Sequence, residues 1–362
     1  MTETALTEHD VYTARPTVRV DGQENERLTE LLVAMEMTES EGGMSALELT
    51  VRNVADESGS DAALPWEDAT VLDFGKTIAV YGGEETAPQE IFRGVVTGLE
   101  AVFPEDGAPE LVVLAEDALQ RARMARRSAV HDDATLSALA NDLASRLSLT
   151  PTVTGLTDSV GTQVQMNESD LAFLRRLLAE RDGDLQVVGT ELHVSPRADV
   201  RRGTVELEMH GQLLAARVLA DLSQQATLVT SAGWDPIQGA RVTGSATGSR
   251  LGPGSGDDGR TVLQRAVGAR SEHARDLSVT TDAEAQALAD TTFDRRARRF
   301  VTVEGTAQGN PAVRVGTHVK LKGLGSRFDN TYYVTRAVHR FDTRNGYQTH
   351  FQGECAYLGT GS

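Results

Sequence analysis

His131-Asp132-Asp133 sets an imidazole beside two carboxylates, the residue types that hold a divalent cation or pass a proton. The same three residues also stand directly before "ATLSALANDLASRL", where they would lead into a helix. His318, His339 and His350 fall on expected strands, and pairing of the last two strands would bring His339 and His350 near each other. Cys355 is the single cysteine, so no intrachain disulfide can form. It has no basic neighbour in sequence to draw out a thiolate nucleophile. There is no H-E-x-x-H, no G-x-x-x-x-G-K-[ST] and no G-x-S-x-G. "GPGSGDDGRT" is glycine-rich but lacks the lysine of a phosphate loop. Carboxylates are abundant, yet nothing marks a glycosidase pair, and Trp66 and Trp234 are too isolated to build a sugar-stacking cleft. The residue types therefore assign no catalytic, metal or cofactor-binding residue.

Composition narrows the class. The net charge of −18 gives no basic face for nucleic acid and disfavours an anionic membrane surface. Frequent glycine (34) with only 5% aromatics fits a turn-rich, mainly β chain. "MTETALTEHD" has neither the basic nor the apolar region of a secretory signal, and no run reaches membrane-helix length. Synthesis in a cytoplasm without a signal peptide is the expectation.

The elements follow from periodicity. "PTVRVDG" alternates and closes in an Asp-Gly turn, and "SALELTVRN" puts Leu47, Leu49 and Val51 on one face. "RLTELLVAMEMTES" reads as helix or strand. Pro65-Trp66, in the acidic loop "ADESGSDAALPWED", is a plug or an interface anchor. From Ala118 the apolar spacing becomes helical, in "DALQRARMARRS", "TLSALANDLASRLSL" and "NESDLAFLRRLLAERDG". The last has Asn167 or Ser169 as cap and a stop at Asp182-Gly183. "TGSATGSRLGPGSGDDGRT" lacks periodicity and reads as a mobile loop or linker. "TDAEAQALADTTFDRRARRF" has a Thr281 or Asp282 cap and arginines in its last turns, as a helix dipole favours.

One pattern occurs twice. "VTGLEAVF" (Val96 to Phe103) and "VTRAVHRF" (Val334 to Phe341) each lead through a turn-rich stretch into a strand. Those strands end in Glu116 and Glu354, at the same distance from the Phe. Upstream, Gly75-Lys76-Thr77 aligns with Gly316-Thr317-His318. The chain therefore carries a duplicated β unit.

"YTARPTVRVDGQE", "IFRGVVTGLEAVF" and above all "NESDLAFLRRLLAERDGDLQVVGTELHV" resemble the phage late control protein D family. This is the baseplate hub of contractile tails, whose module also opens type VI secretion spike proteins. The resemblance spans about residues 11 to 358. It implies a mainly β fold with α+β inserts, in which two similar antiparallel β-barrel, tube-like domains accompany smaller α/β domains. The expected layout is a flexible 1–10, a first barrel at 11–117 and an α+β insert at 118–200. A second barrel is expected from 201–245 with 300–358, and a Gly-rich loop and helical insert at 246–299. The family further implies a homotrimer that adapts a sixfold inner tube to a threefold spike. Its partners would be inner tube proteins on one face, a separate spike-tip protein on the other, and other baseplate proteins. It would bind no nucleic acid sequence and no membrane, would need no cofactor and would be part of an assembled particle. The hairpin tips, Asp106 and Gly107 in one repeat and Arg344, Asn345 and Gly346 in the other, are the expected contacts with neighbouring rings. The competing readings are a tail-associated cell-wall hydrolase and a receptor- or carbohydrate-binding β protein.

Overall fold

The computed structural model describes residues 15–54, 64–83, 88–276 and 278–360. The expected flexible N-terminus and most of the acidic loop lie outside the described residues. The first β unit contains β1 (Thr17–Val20), β2 (Gln23–Glu24), α1 (Glu26–Glu30), β3 (Leu32–Ser40), β4 (Ala46–Arg52), β5 (Thr77–Gly82), β6 (Gln89–Val102) and β7 (Glu110–Glu116). Asp21 and Gly22 both take positive φ, 50° and 80°, the geometry a two-residue hairpin demands, and Val20 pairs with Gln23. The segment ambiguous in sequence divides into two elements. Asn25 Oδ1 accepts from Leu28 N at 2.9 Å and starts the one-turn α1. From Leu32 the chain is extended, with Met35, Met37 and Glu39 inward. Trp66 is buried and donates its indole N–H to Arg52 O at 2.9 Å, so it plugs this core.

The insert holds α2 (Leu119–Met124), β8 (Arg126–His131), α3 (Leu136–Leu147), β9 (Thr150–Val153), β10 (Gln163–Ser169), α4 (Asp170–Glu180), β11 (Gly183–Val188) and β12 (Glu191–Pro196). Ser169, not Asn167, caps α4 by accepting from Ala172 N at 3.2 Å. Leu171, Leu174, Leu177 and Leu178 of α4 pack with α3 and the β11–β12 hairpin into a core of their own. "DALQRARMARRS" is helical only as far as Met124. Its second half is β8, which β10 recruits as an antiparallel partner.

The chain then runs through β13 (Thr204–Glu208), β14 (Leu213–Ala220), β15 (Leu228–Asp235), β16 (Ala240–Ala246), β17 (Asp257–Asp258), α5 (Gly259–Ala266), β18 (Ser271–Ala274) and α6 (Asp282–Arg298). It closes with β19 (Val301–Gln308), β20 (His318–Lys322), β21 (Asn330–Asp342), β22 (Gly346–Cys355) and β23 (Tyr357–Leu358). Two expectations are corrected here. Residues 201–245 do not all join the second β unit. β15 and β16 form a separate three-stranded sheet with β18, because α6 lies on it so closely that a Cβ on Gly244 would meet Ala285 at 2.4 Å. The Gly/Ser-rich stretch is not a free linker. A Cβ on Gly254 would meet Cys355 Sγ at 2.5 Å and one on Gly256 would meet Leu358 O at 2.2 Å, so these glycines serve close packing. Asp258 then caps α5.

The duplicated pattern is duplicated geometry. β3–β4–β7–β6–β5 run side by side in the same order as β14–β19–β22–β21–β20. The registers match pair for pair: Val95 faces Glu116 as Tyr333 faces Glu354, and Leu32 faces Val51 as Leu213 faces Ala307. The irregularities match as well. Thr97 and Thr335 are the extra residues of their hairpins, and Val33 and Leu214 those of the outer strands. Thr97 Oγ1 donates to Leu114 O at 3.5 Å and Thr335 Oγ1 to Gln352 O at 3.3 Å. Gly75 N donates to Val96 O, and Gly316 N to Val334 O, both at 3.0 Å. The outer strand departs from the rule. β1 runs antiparallel to β5, whereas β13 runs parallel to β20.

The fold is mainly β, and its two similar units are joined edge to edge. Each wraps its own core, and antiparallel pairing of β21 with β3 merges their strands into one 13-stranded sheet. Phe341 of the second unit is 6% exposed and belongs to the first unit's core, with Tyr347. Phe341→Ala is expected to cost about 3–5 kcal/mol in denaturant unfolding. A cost below about 1 kcal/mol would show that the seam packs loosely.

Candidate assembly interface

The seam is built on β3, whose alternation turns Met35, Met37 and Glu39 inward. Pairing runs from Arg336 opposite Ser40 to Asp342 opposite Ala34. The Glu39 carboxylate is fully buried there. It accepts from Arg314 Nε and Nη2 at 2.9 and 2.6 Å, and from Val315 N at 2.5 Å. On the solvent side Arg340 Nε meets Glu36 Oε2 at 2.8 Å. His339, opposite Met37, is enclosed. Its Nδ1 lies 2.8 Å from Tyr347 Oη. Burial, with the Arg314 guanidinium beside it, pushes His339 down to about 3.

A second charged cluster locks the insert onto the seam. Arg197 bonds both Glu41, just past β3, and Glu354 at the end of β22, and its guanidinium lies over the Tyr333 ring. Arg298 of α6 forks onto Asp182 at 2.6 and 2.8 Å. Asp117 bridges the β3–β4 turn to α2, accepting from Ser45 N at 2.6 Å and Leu119 N at 2.9 Å. Burial pushes its carboxyl up to about 6 against those two hydrogen bonds.

The expected contact residues lie on two exposed hairpin tips. Asp106 and Gly107 sit in the β6–β7 turn, with Gly107 at φ 140°. Arg344, Asn345 and Gly346 sit in the β21–β22 turn. Asp342 Oδ1 accepts from Arg344 N at 2.8 Å and Asn345 N at 2.7 Å, and Gly346 takes φ 71°. Each set is gathered within its own hairpin. Two strand edges, by contrast, are bare among the described residues. β14 from Leu214 to Ala220 has no partner beyond β19, and β6 from Gly98 to Val102 has none beyond β7.

The family described as the Alg8 N-terminal domain matches residues 13–343. The chain belongs to the Alg8 N-terminal domain family. No curated protein matches it. Among solved structures, it is similar to the 43 kDa tail protein of prophage MuSo2 from Shewanella oneidensis. The TM-score is 0.66 at 15% identity, covering 94% of this chain and 97% of that one. A tail protein from Neisseria meningitidis MC58 gives 0.65 at 11%, covering 94% and 96%. An E. coli component of the type VI secretion system, described as structurally similar to the T4 tail proteins gp27 and gp5, gives 0.55 at 12%, covering 91% and 76%. The chain therefore has a tail-protein fold.

The remaining chemistry-bearing residues are held by local packing. His131 stacks on Phe173 at 5.0 Å between centroids. Asp133 accepts from Ser159 Oγ at 2.6 Å, and Thr135, two residues later, caps α3. His350 pairs beside His339 but on the opposite face, 3.0 Å from Thr306 Oγ1, because neighbouring positions on a ladder alternate faces. His318 packs against Tyr333. Cys355 is buried and its thiol is pushed up to about 12 by burial. Trp234 is exposed on β15. Sequence reading missed β14 and the seam charges. "LLAARVLA" does not alternate cleanly, and neither a Glu in a strand nor an Arg in a loop announces its burial.

Two predictions follow from the seam. Arg314→Met leaves Glu39 buried without its cation and is expected to cost about 3–5 kcal/mol, most of it recovered by adding Glu39→Leu. A double variant whose cost equals the sum of the two single costs in a double-mutant cycle would deny the pairing. His339 titrates lower folded than its ordinary 6.5, so its contribution is whole above about pH 6.5 and lost as pH falls toward 3. The stability difference between wild type and His339→Asn should therefore shrink as the medium is acidified across that window. A difference independent of pH would contradict it.

Proposed function

We propose that this chain is the baseplate hub of a contractile injection system, of the late control protein D kind. Three copies would join a sixfold inner tube to a threefold spike. The observation that carries the reading is the duplicated β unit, matched down to its bulges, with its two copies set side by side in one sheet. Three such chains offer six similar surfaces to a tube while keeping true threefold symmetry for a spike. The tail-protein fold and the likeness to a type VI secretion component support the setting. The role is mechanical: the hub holds the mismatch and passes force along the sheet when a sheath contracts, and no side chain performs a reaction. The two hairpin tips, Asp106-Gly107 and Arg344-Asn345-Gly346, would sit at equivalent places and touch the adjacent ring.

Native mass spectrometry of the full chain should show a species of three chain masses. A cryo-EM map of the assembled particle should place three copies between tube and spike, with both tips against the next ring. A single copy, or six, at that level would overturn the reading.

A further inference from the structure

Arginines converge on a cleft between the insert, the seam and α6. It encloses about 440 Å3. α4 brings Arg175 to it, the short turn after β12 brings Arg197, and the end of α6 brings Arg295, Arg298 and Arg299. Glu41, Asp182 and Glu354 line it as well. Five guanidinium groups against three carboxylates leave two positive charges unmatched, in a chain whose net charge is −18.

The three carboxylates are already engaged. Asp182 takes the fork of Arg298, while Glu41 and Glu354 take Arg197, and both of these arginines are buried. The other three are exposed. Arg175 makes no ion pair among the described residues. Its Nε donates to Gly42 O, and its guanidinium lies so tightly on the next residue that a Cβ on Gly43 would meet Nη2 at 1.7 Å. Packing there desolvates the cation and lowers its pKa, which only the charge of Asp117 opposes. Arg295 makes no ion pair among the described residues either, and Arg299 comes no nearer than 4.0 Å to Glu354 Oε2. Arg298 Nε is buried and donates no hydrogen bond, with Glu354 Oε1 3.6 Å away. A helix dipole accounts for cations in the last turn of α6. It does not account for Arg175, which stands mid-way along α4 against a turn whose two glycines take φ 81° and 151°.

We propose that this cleft binds a small phosphate-bearing anion. A planar guanidinium fork matches the oxygens of a phosphate in pairs, and Arg175, Arg295 and Arg299 carry the forks that no carboxylate occupies. Arg197 and Arg298, fixed by their carboxylates, form a rigid charged floor beneath them. The volume exceeds that of a bare phosphate and falls in the range of small-molecule sites. Leu178, Ala179 and Leu185 add an apolar wall, against which the carbon part of a phosphate ester would pack. The ligand would clasp α4 of the insert to α6 above the end of β22, so occupancy would favour the folded arrangement of insert on sheet. The cleft lies within one copy, so the site stands apart from the hub reading.

The test is equilibrium dialysis of the full chain, at fixed ionic strength, against radiolabelled inorganic phosphate, pyrophosphate and glycerol 3-phosphate. One anion per chain should bind saturably, and chloride at equal ionic strength should not displace it. Arg175→Gln and Arg295→Gln, both at exposed positions, should keep the circular dichroism spectrum and each weaken binding about tenfold, the effect of losing one charge-assisted contact. Arg241→Gln removes an exposed arginine of β16 outside the cleft and should leave the affinity unchanged. Tighter binding of glycerol 3-phosphate than of inorganic phosphate would assign a phosphate ester, and the reverse order a free inorganic anion. No saturable binding of any of the three at millimolar concentration would overturn the site. So would affinity untouched in both cleft variants, or a loss shared equally by Arg241→Gln, which is the mark of diffuse charge attraction. The count of chains in native mass spectrometry, which tests the hub reading, is unaffected by either result.

Discussion

The antiparallel ladder between β3 and β21 is the contact on which the rest of the molecule depends. It turns two similar sheets into one, seats Phe341 and Tyr347 in a core built by residues far away in the chain, and forces a carboxylate and a guanidinium to share a dry site. Main-chain hydrogen bonds give the joint its direction. The apolar contact and the Glu39–Arg314 pair give it a single register, because a slip by one residue would turn Glu39 outward and leave Arg314 buried alone. The insert then rests on the joint through Arg197 and Arg298, so its orientation is inherited from the seam.

Much of this was legible in the sequence where the cause is local. The Asp21-Gly22 hairpin, the Thr281–Glu284 capping box and the Ser169 cap follow from side chains that satisfy backbone groups within a few residues. The duplication was legible because the spacing between Val, Phe and Glu is preserved when the same register and bulge must be preserved. What stayed hidden depends on partners distant in the chain. β14 alternates poorly because an edge strand has neither face fully covered, and β8 looked helical until β10 was there to pair with it. The glycines at 254 and 256 share the composition of a linker, yet they serve close approach, and only the neighbour decides which. The expected contact tips lie in exposed turns as read, while the bare edges, which carry more apolar surface, gave no motif to find.

The histidines show the same division. Ladder geometry dictates that His339 and His350, near in register, point apart, so proximity in a predicted hairpin does not make a pair. One is sealed in the seam and kept neutral by burial, and the other faces outward beside Thr306.

The outermost strands break the internal likeness, since β1 opposes β5 while β13 follows β20. On the hub reading this reversal means that the six units round the ring come in two alternating kinds. A neighbour that senses only the inner hairpins counts to six, and one that grips the outer strand counts to three. The arithmetic of the adaptor would then reside in which way a single short strand points.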